Sequence, residues 1–76
     1  MPAVPGVYKH YKGGLYRVLF LAQVSTNGPD EGKLVVVYVS LADGTIYSRD
    51  DRQFTEIIKH KGQEAWRFEL LGEQKL

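Results

Sequence analysis

From Val7 onward the chain alternates side-chain character with a period of two, the spacing of an extended strand with two distinct faces. Val7, Lys9 and Tyr11 fall on one side of this run and Tyr8, His10 and Lys12 on the other, which predicts a strand over 7–12. Gly13-Gly14 follows, and paired glycines supply the positive φ angles that a tight hairpin turn demands. In the return run from Leu15 to Val24, Tyr16, Val18, Phe20, Ala22 and Val24 oppose Leu15, Arg17, Leu19, Leu21 and Gln23. Both faces are apolar in the middle, as suits a bent barrel strand. Across the hairpin, the partners of Tyr8 and His10 are Leu15, Arg17 and Leu19 or the opposite set, depending on register.

Ser25 to Gly32 contains Gly28, Pro29 and Gly32 and is predicted as a loop. The β-branched run 33–41 sets Val35, Val37, Val39 and Leu41 against Leu34, Val36, Tyr38 and Ser40, the pattern of a central strand. Asp43-Gly44 is a strong hairpin signal and sends the chain into a partner strand over 45–49. The stretch from Asp50 to His60 is double-valued. Asp50 with Gln53 imitates a capping box and Phe54, Ile57 and Ile58 have helical spacing, yet Thr55, Ile57 and Ile58 are β-branched. A helical turn at 50–54 followed by a strand over 55–60 is the preferred reading. Gly62 turns the chain into a last strand over 65–71, in which Trp66, Phe68 and Leu70 share one face as core candidates.

These elements amount to an all-β domain over 7–71, a small bent antiparallel barrel, SH3-like in size, with at most one short helical turn. A flexible lead-in over 1–6, with Pro2, Pro5 and Gly6, and a frayed tail over 72–76 flank it. At 76 residues the chain has room for one core only, and its 43% hydrophobic and 12% aromatic content argues for a folded one. The absence of cysteine excludes disulfides, thiolate metal sites and thiol nucleophiles. No apolar stretch approaches the ~20 residues of a membrane span, so a cytoplasmic protein with no membrane partner is expected.

The net charge of +1 is too small for a field that attracts nucleic acid over the whole surface. Its distribution is uneven: Lys9, Lys12 and Arg17 are the only charged residues before Asp30, while the remainder carries seven basic and nine acidic residues. The segment 1–29 therefore carries the positive excess.

The run Val7-Tyr8-Lys9-His10-Tyr11-Lys12-Gly13-Gly14-Leu15-Tyr16-Arg17-Val18-Leu19 resembles the opening of the bacterial family called domain of unknown function 1653. The resemblance continues through Val36-Val37-Tyr38, Tyr47 and Arg49, Phe54 with Glu56, and Arg67-Phe68, and so covers about residues 6–69. It implies a compact domain without an assigned activity. The chain departs from the family pattern at Val24, where the family commonly has His, and at Val39, where it commonly has Arg. The family's Trp-Val-Arg-Pro reads here Tyr47-Ser48-Arg49-Asp50, and its Met-Phe reads Gln53-Phe54.

Candidate chemistry is sparse. His10 and His60 are the only imidazoles, and neither sits in a nucleophile elbow or at metal-ligand spacing; no catalytic residue, metal or cofactor is expected. A non-catalytic binding or protein-interaction module is the preferred function, with RNA or single-stranded DNA binding and a small enzyme as the alternatives. Its candidate ligand-binding residues are Tyr8, His10, Lys12, Arg17 and Arg49, because rings beside cationic groups can stack on bases or grip an extended peptide. A protein partner, or a second copy through a strand edge, is favoured over RNA or single-stranded DNA. Should Lys9, Lys12 and Arg17 converge, oligonucleotide anisotropy would show a log–log salt slope of about −2, and replacing Lys12 and Arg17 by Ala would flatten it.

Overall fold

The computed structural model describes residues 3–73. In chain order it contains β1 (Gly6–His10), β2 (Leu15–Gln23), β3 (Leu34–Ser40), β4 (Ile46–Asp50), α1 (Asp51–Phe54), β5 (Ile57–His60), β6 (Gln63–Trp66) and β7 (Phe68–Glu73). Five strands form one antiparallel sheet in the order β4-β3-β2-β1-β7, and β5 with β6 forms a separate hairpin. The domain is all-β with one helical turn. The larger sheet bends without closing, since β4 and β7 remain its edges.

Turn length decides which side chains share a face. The first hairpin is closed by His10 N–H donating to the Gly14 carbonyl (2.8 Å) and Gly13 N–H donating to the His10 carbonyl (2.7 Å), with Gly13 at φ +109°. The connection is thus Tyr11-Lys12-Gly13 rather than Gly13-Gly14 alone, and β1 ends at His10 instead of residue 12. Tyr8 faces Tyr16 and Val7 faces Arg17. Relative to a two-residue turn, the register shifts by an odd number of positions, which moves Arg17 to the face opposite Tyr8 and His10.

A second shift occurs in β2, where the register against β3 slips between Val18 and Phe20. Tyr16 and Val18 point to the concave face before the bulge and Leu21 after it, so Phe20 is 54% exposed. A bulge increases local bend and twist. This one lets a nine-residue strand curl round the core.

The concave face is closed by α1. The Asp50 carboxylate caps this turn, accepting from the amides of Arg52 (2.8 Å) and Gln53 (3.4 Å). Phe54, wholly buried, is thereby delivered under the sheet. There its ring stacks on Phe68 with centroids 4.0 Å apart and meets Tyr8 and Tyr38 edge-on at 5.1 and 5.2 Å. Ala3, Tyr8, Val18, Val36, Tyr38, Phe54 and Phe68 form the core, with Tyr16 and Leu21 against it.

Several expectations change. Trp66, expected beside Phe68 in one strand, is 52% exposed. The expected strand over 65–71 is broken at Arg67, so Trp66 pairs with Ile57 in the hairpin while Phe68 starts the main sheet. Lys61 and Gly62 both have positive φ (+52° and +79°), the two-residue turn that makes β5 and β6 possible. Fraying was expected from residue 72, yet β7 runs on to Glu73. There Gly72 and Glu73 face Val7 and Gly6. Part of the lead-in is fixed as well: Ala3 N–H donates to Asp51 Oδ1 at 2.9 Å. The rest of the expected lead-in and tail, residues 1–2 and 74–76, lies outside the described residues.

Phe54→Ala removes the ring that the whole concave face packs on and is expected to cost about 3–5 kcal/mol. Against a total stability on the order of 5–15 kcal/mol for small domains, that removes a large share of the margin. Urea titration followed by circular dichroism measures it, and a loss below ~1 kcal/mol would contradict this account of the core.

Candidate functional site

Two registers build one cavity. The Asp43-Gly44 turn pairs Tyr38 with Tyr47 and Val36 with Arg49, so Tyr38, Tyr47 and Arg49 share the concave face with Val36. On the same face, toward the β7 edge, His10 faces Phe68 and Tyr8 faces Tyr16. Because the sheet is curled, these residues converge on a cavity of about 200 Å³ lined by His10, Tyr16, Tyr38, Tyr47, Arg49 and Phe68.

The walls are rings in mutual contact. Tyr16 meets Tyr38 at 5.5 Å and Phe68 at 5.6 Å, both edge-on, and Tyr38 lies nearly parallel to Tyr47 at 5.6 Å. His10 closes one side against Phe68 at 4.9 Å. Tyr38 is almost completely buried, whereas Tyr47 is 42% exposed and forms the rim.

Arg49 gives the cavity its sign. Its guanidinium carbon lies 5.9 Å from the Phe68 ring centroid, near the outer limit of a cation–π contact. It belongs to neither of the ion pairs among the described residues, Lys33–Asp30 and Arg67–Glu56. No carboxylate lines the cavity. A half-buried guanidinium with free donors and no counter-charge suits an anion, above all a carboxylate or phosphate that its planar fork can grip.

His10 responds to this field. Partial burial holds its imidazole below the ordinary 6.5, and Arg49, Lys12 and Arg67 push in the same direction. Its Nδ1 accepts the Lys12 amide at 3.1 Å. In the neutral ring the proton therefore resides on Nε2, which is free to donate.

Of the residues singled out from sequence, only His10 and Arg49 line this cavity. Tyr8 is a core residue, 5% exposed, whose hydroxyl donates to the Val4 carbonyl (2.8 Å) and accepts from its amide (3.1 Å). Burial raises its pKa. Lys12 is exposed in the first turn with Nζ 5.7 Å from the Tyr11 ring. Arg17 lies on the convex face beside Val7 and Val39. Lys9, opposite Leu15, shares that face, so cationic and aromatic groups of the first hairpin are separated by the sheet. Tyr8, Lys12 and Arg17 therefore do not form the single basic aromatic face expected of them, because the three-residue turn reverses the assumed pairing.

Tyr16, Tyr38, Tyr47 and Phe68 were not among the expected site residues. For Tyr38 and Tyr47 the signal was present: any register through Asp43-Gly44 that differs by an even shift keeps both on the Arg49 face.

Fold and cavity together define a small all-β domain with an electropositive aromatic hollow in its concave face. The sequence matches the family described as "Protein of unknown function (DUF1653)" over residues 6–70, and the chain belongs to that family. It is similar to a crystal structure of a protein of this family from Bordetella bronchiseptica, at 30% identity and a TM-score of 0.80, covering 97% of this chain and 94% of that one. No curated protein matches it. All six cavity residues fall in the segments that carry the family resemblance. Of the departures, Val39 and Val24 lie elsewhere, Val39 facing Arg17 on the convex side and Val24 past the end of β2 with its amide bonded to the Lys33 carbonyl, whereas Tyr47, where the family pattern has Trp, lines the cavity.

The lowered His10 pKa has a defined consequence. The folded chain holds the imidazole neutral more strongly than the unfolded chain does, so this contribution is present above pH 6.5 and is lost as pH falls through the folded-state value. NMR titration should find His10 protonating below the ordinary imidazole range, and Arg49→Gln should move it back upward. An unchanged midpoint in that variant would remove Arg49 from the field at His10.

Proposed function

We propose that the domain is a non-catalytic recognition module whose concave cavity receives one protruding anionic group of a larger partner. The observation that carries this reading is the half-buried Arg49 guanidinium, without an ion-pair partner among the described residues, in a wall of four aromatic rings. Stability alone gives no reason for that arrangement, since an unpaired charge beside apolar rings loses hydration and gains only a marginal cation–π contact. A ligand carboxylate would supply the missing counter-charge.

The size of the cavity argues in the same direction. At about 200 Å³ it is smaller than the roughly 300–1,000 Å³ that encloses a whole small ligand, and it fits a single side chain or ring. A non-catalytic role accords with the lining, which offers phenols, an imidazole and a guanidinium but no paired nucleophile and base.

Benzoate is a suitable small probe, with benzamide as its uncharged counterpart of the same shape. Benzoate at millimolar concentration should shift the Arg49 Nε–H and Tyr47 ring resonances, benzamide should do so far less, and Arg49→Met should abolish the difference. In the absence of ligand, Arg49→Met is expected to stabilise the fold by about 1 kcal/mol, a rise of roughly 4–8 °C in Tm for a domain of this size. A variant that melts lower, together with a benzoate response that ignores residue 49, would assign Arg49 a structural role instead.

A further inference from the structure

The cavity opens beside an unprotected strand edge. β4 pairs on one side with β3 and, among the described residues, has no strand on the other. Its ladder can be phased from one bond: Ser40 N–H donates to the Thr45 carbonyl at 2.8 Å, in line with the register that pairs Val39 with Ile46. Antiparallel ladders alternate bonded and non-bonded pairs, so Tyr47 and Arg49 turn their backbone groups toward β3. Ile46 and Ser48 turn theirs outward. The sequence Ile46-Tyr47-Ser48 carries no Pro and no Lys to blunt the edge, and all three residues are exposed.

The opposite edge is different. Arg67 N–H, at the entry to β7, donates to the Glu56 carbonyl at 2.9 Å, so the chain itself covers that edge next to Phe68. At the cavity end of the sheet, β4 presents outward backbone groups alongside two lining side chains, Tyr47 and Arg49. Tyr47 and Arg49 project from this strand into the cavity.

We propose that β4 is the docking edge for an extended peptide, which adds to the sheet through the backbone of Ile46 and Ser48 and places an Asp or Glu carboxylate on Arg49 inside the aromatic cavity. This rests on the recognition reading above and names the partner. Charge complementarity selects the occupant: the cavity holds the Arg49 guanidinium, which has no ion-pair partner among the described residues, beside the neutral donor His10, and no acid lines it. An added strand places alternate side chains on the concave face beside Tyr47 and Arg49, where one carboxylate completes the site. A second copy pairing through its own β4 would bring another Tyr47 and Arg49 to that face and no carboxylate. Nucleic acid is disfavoured because Lys9 and Arg17 lie on the convex face, leaving no basic track along the cavity.

Random nonapeptides displayed on phage, selected on the full chain and counter-selected on Arg49→Gln, test this directly. The expected result is enrichment of one Asp or Glu position flanked by β-forming residues. Changing that acid to its amide should weaken binding about ten-fold or more, as for a lost charge-assisted hydrogen bond. On binding, the Ile46 and Ser48 amides should become protected from hydrogen exchange. Ser48→Pro, which removes an outward N–H, should abolish binding. If that variant unfolds, N-methylation of the peptide backbone on its pairing side tests the same bond from the other partner.

Peptides that shift Tyr47 and Arg49 but leave the Ile46 and Ser48 amides unprotected would overturn edge docking while the recognition reading stood. Selected peptides indifferent to Arg49→Gln, or no enrichment at all, would overturn both. A chain that sediments as a dimer dissolved by Ser48→Pro would give the edge to a second copy. Binding of a mixed single-stranded oligonucleotide lost in Arg49→Gln would give the cavity to nucleic acid; either result overturns the peptide proposal alone.

Discussion

The stack of Phe54 on Phe68 is the contact from which the rest of the architecture follows. One ring arrives from a four-residue helical turn and the other from the strand at the far edge of the sheet, and they meet in parallel at 4.0 Å. A small sheet cannot bury a face by lying flat. It must curl and be plugged, and Phe54 is the plug. Drawing β7 inward toward the chain that leaves β4 brings Arg49 and Phe68 from opposite edges to within 5.9 Å, and the cavity is the part of the concave face that the plug does not fill.

Core and site are therefore continuous. Tyr38 and Phe68 belong to both, packing against Phe54 on one side and lining the hollow on the other. Such a wall is stiff, because each ring is braced by two to four others and interior packing tolerates little displacement. The most exposed part of the cavity is its rim, Tyr47. Under the proposed recognition role, a partner would meet a preformed hollow, which limits the ordering entropy that binding must overcome.

Much of the fold was legible in the sequence because its signals are local. The positive-φ demands of Gly13 and Gly44, the β-branched run of β3 and the Asp50 cap each act within a few residues, and the helical turn fell at 51–54 as the capping pattern implied. Arg49 and His10 were legible as chemistry. Faces were not, because a face depends on turn length and bulges, which are set by long-range pairing. One additional residue in the first turn moved Arg17 across the sheet, the bulge before Phe20 turned that ring to solvent, and the bend at Arg67 freed Trp66. Tyr38 and Tyr47 could be placed on the Arg49 face through Asp43-Gly44, but their convergence with Tyr16 is a product of curvature, which no single strand encodes.

The exposed Trp66 has a spectroscopic meaning. It is the only tryptophan, and it stands on β6 across from Ile57, outside the cluster of rings that forms the core. Its emission in the native state is accordingly that of an indole largely in water, and unfolding alters that environment little. The tyrosines are the opposite case, since Tyr8 and Tyr38 pass from a packed interior to solvent when the chain opens. The near-ultraviolet signature of the intact fold thus belongs to phenol rings, and the indole reports on the condition of one peripheral hairpin.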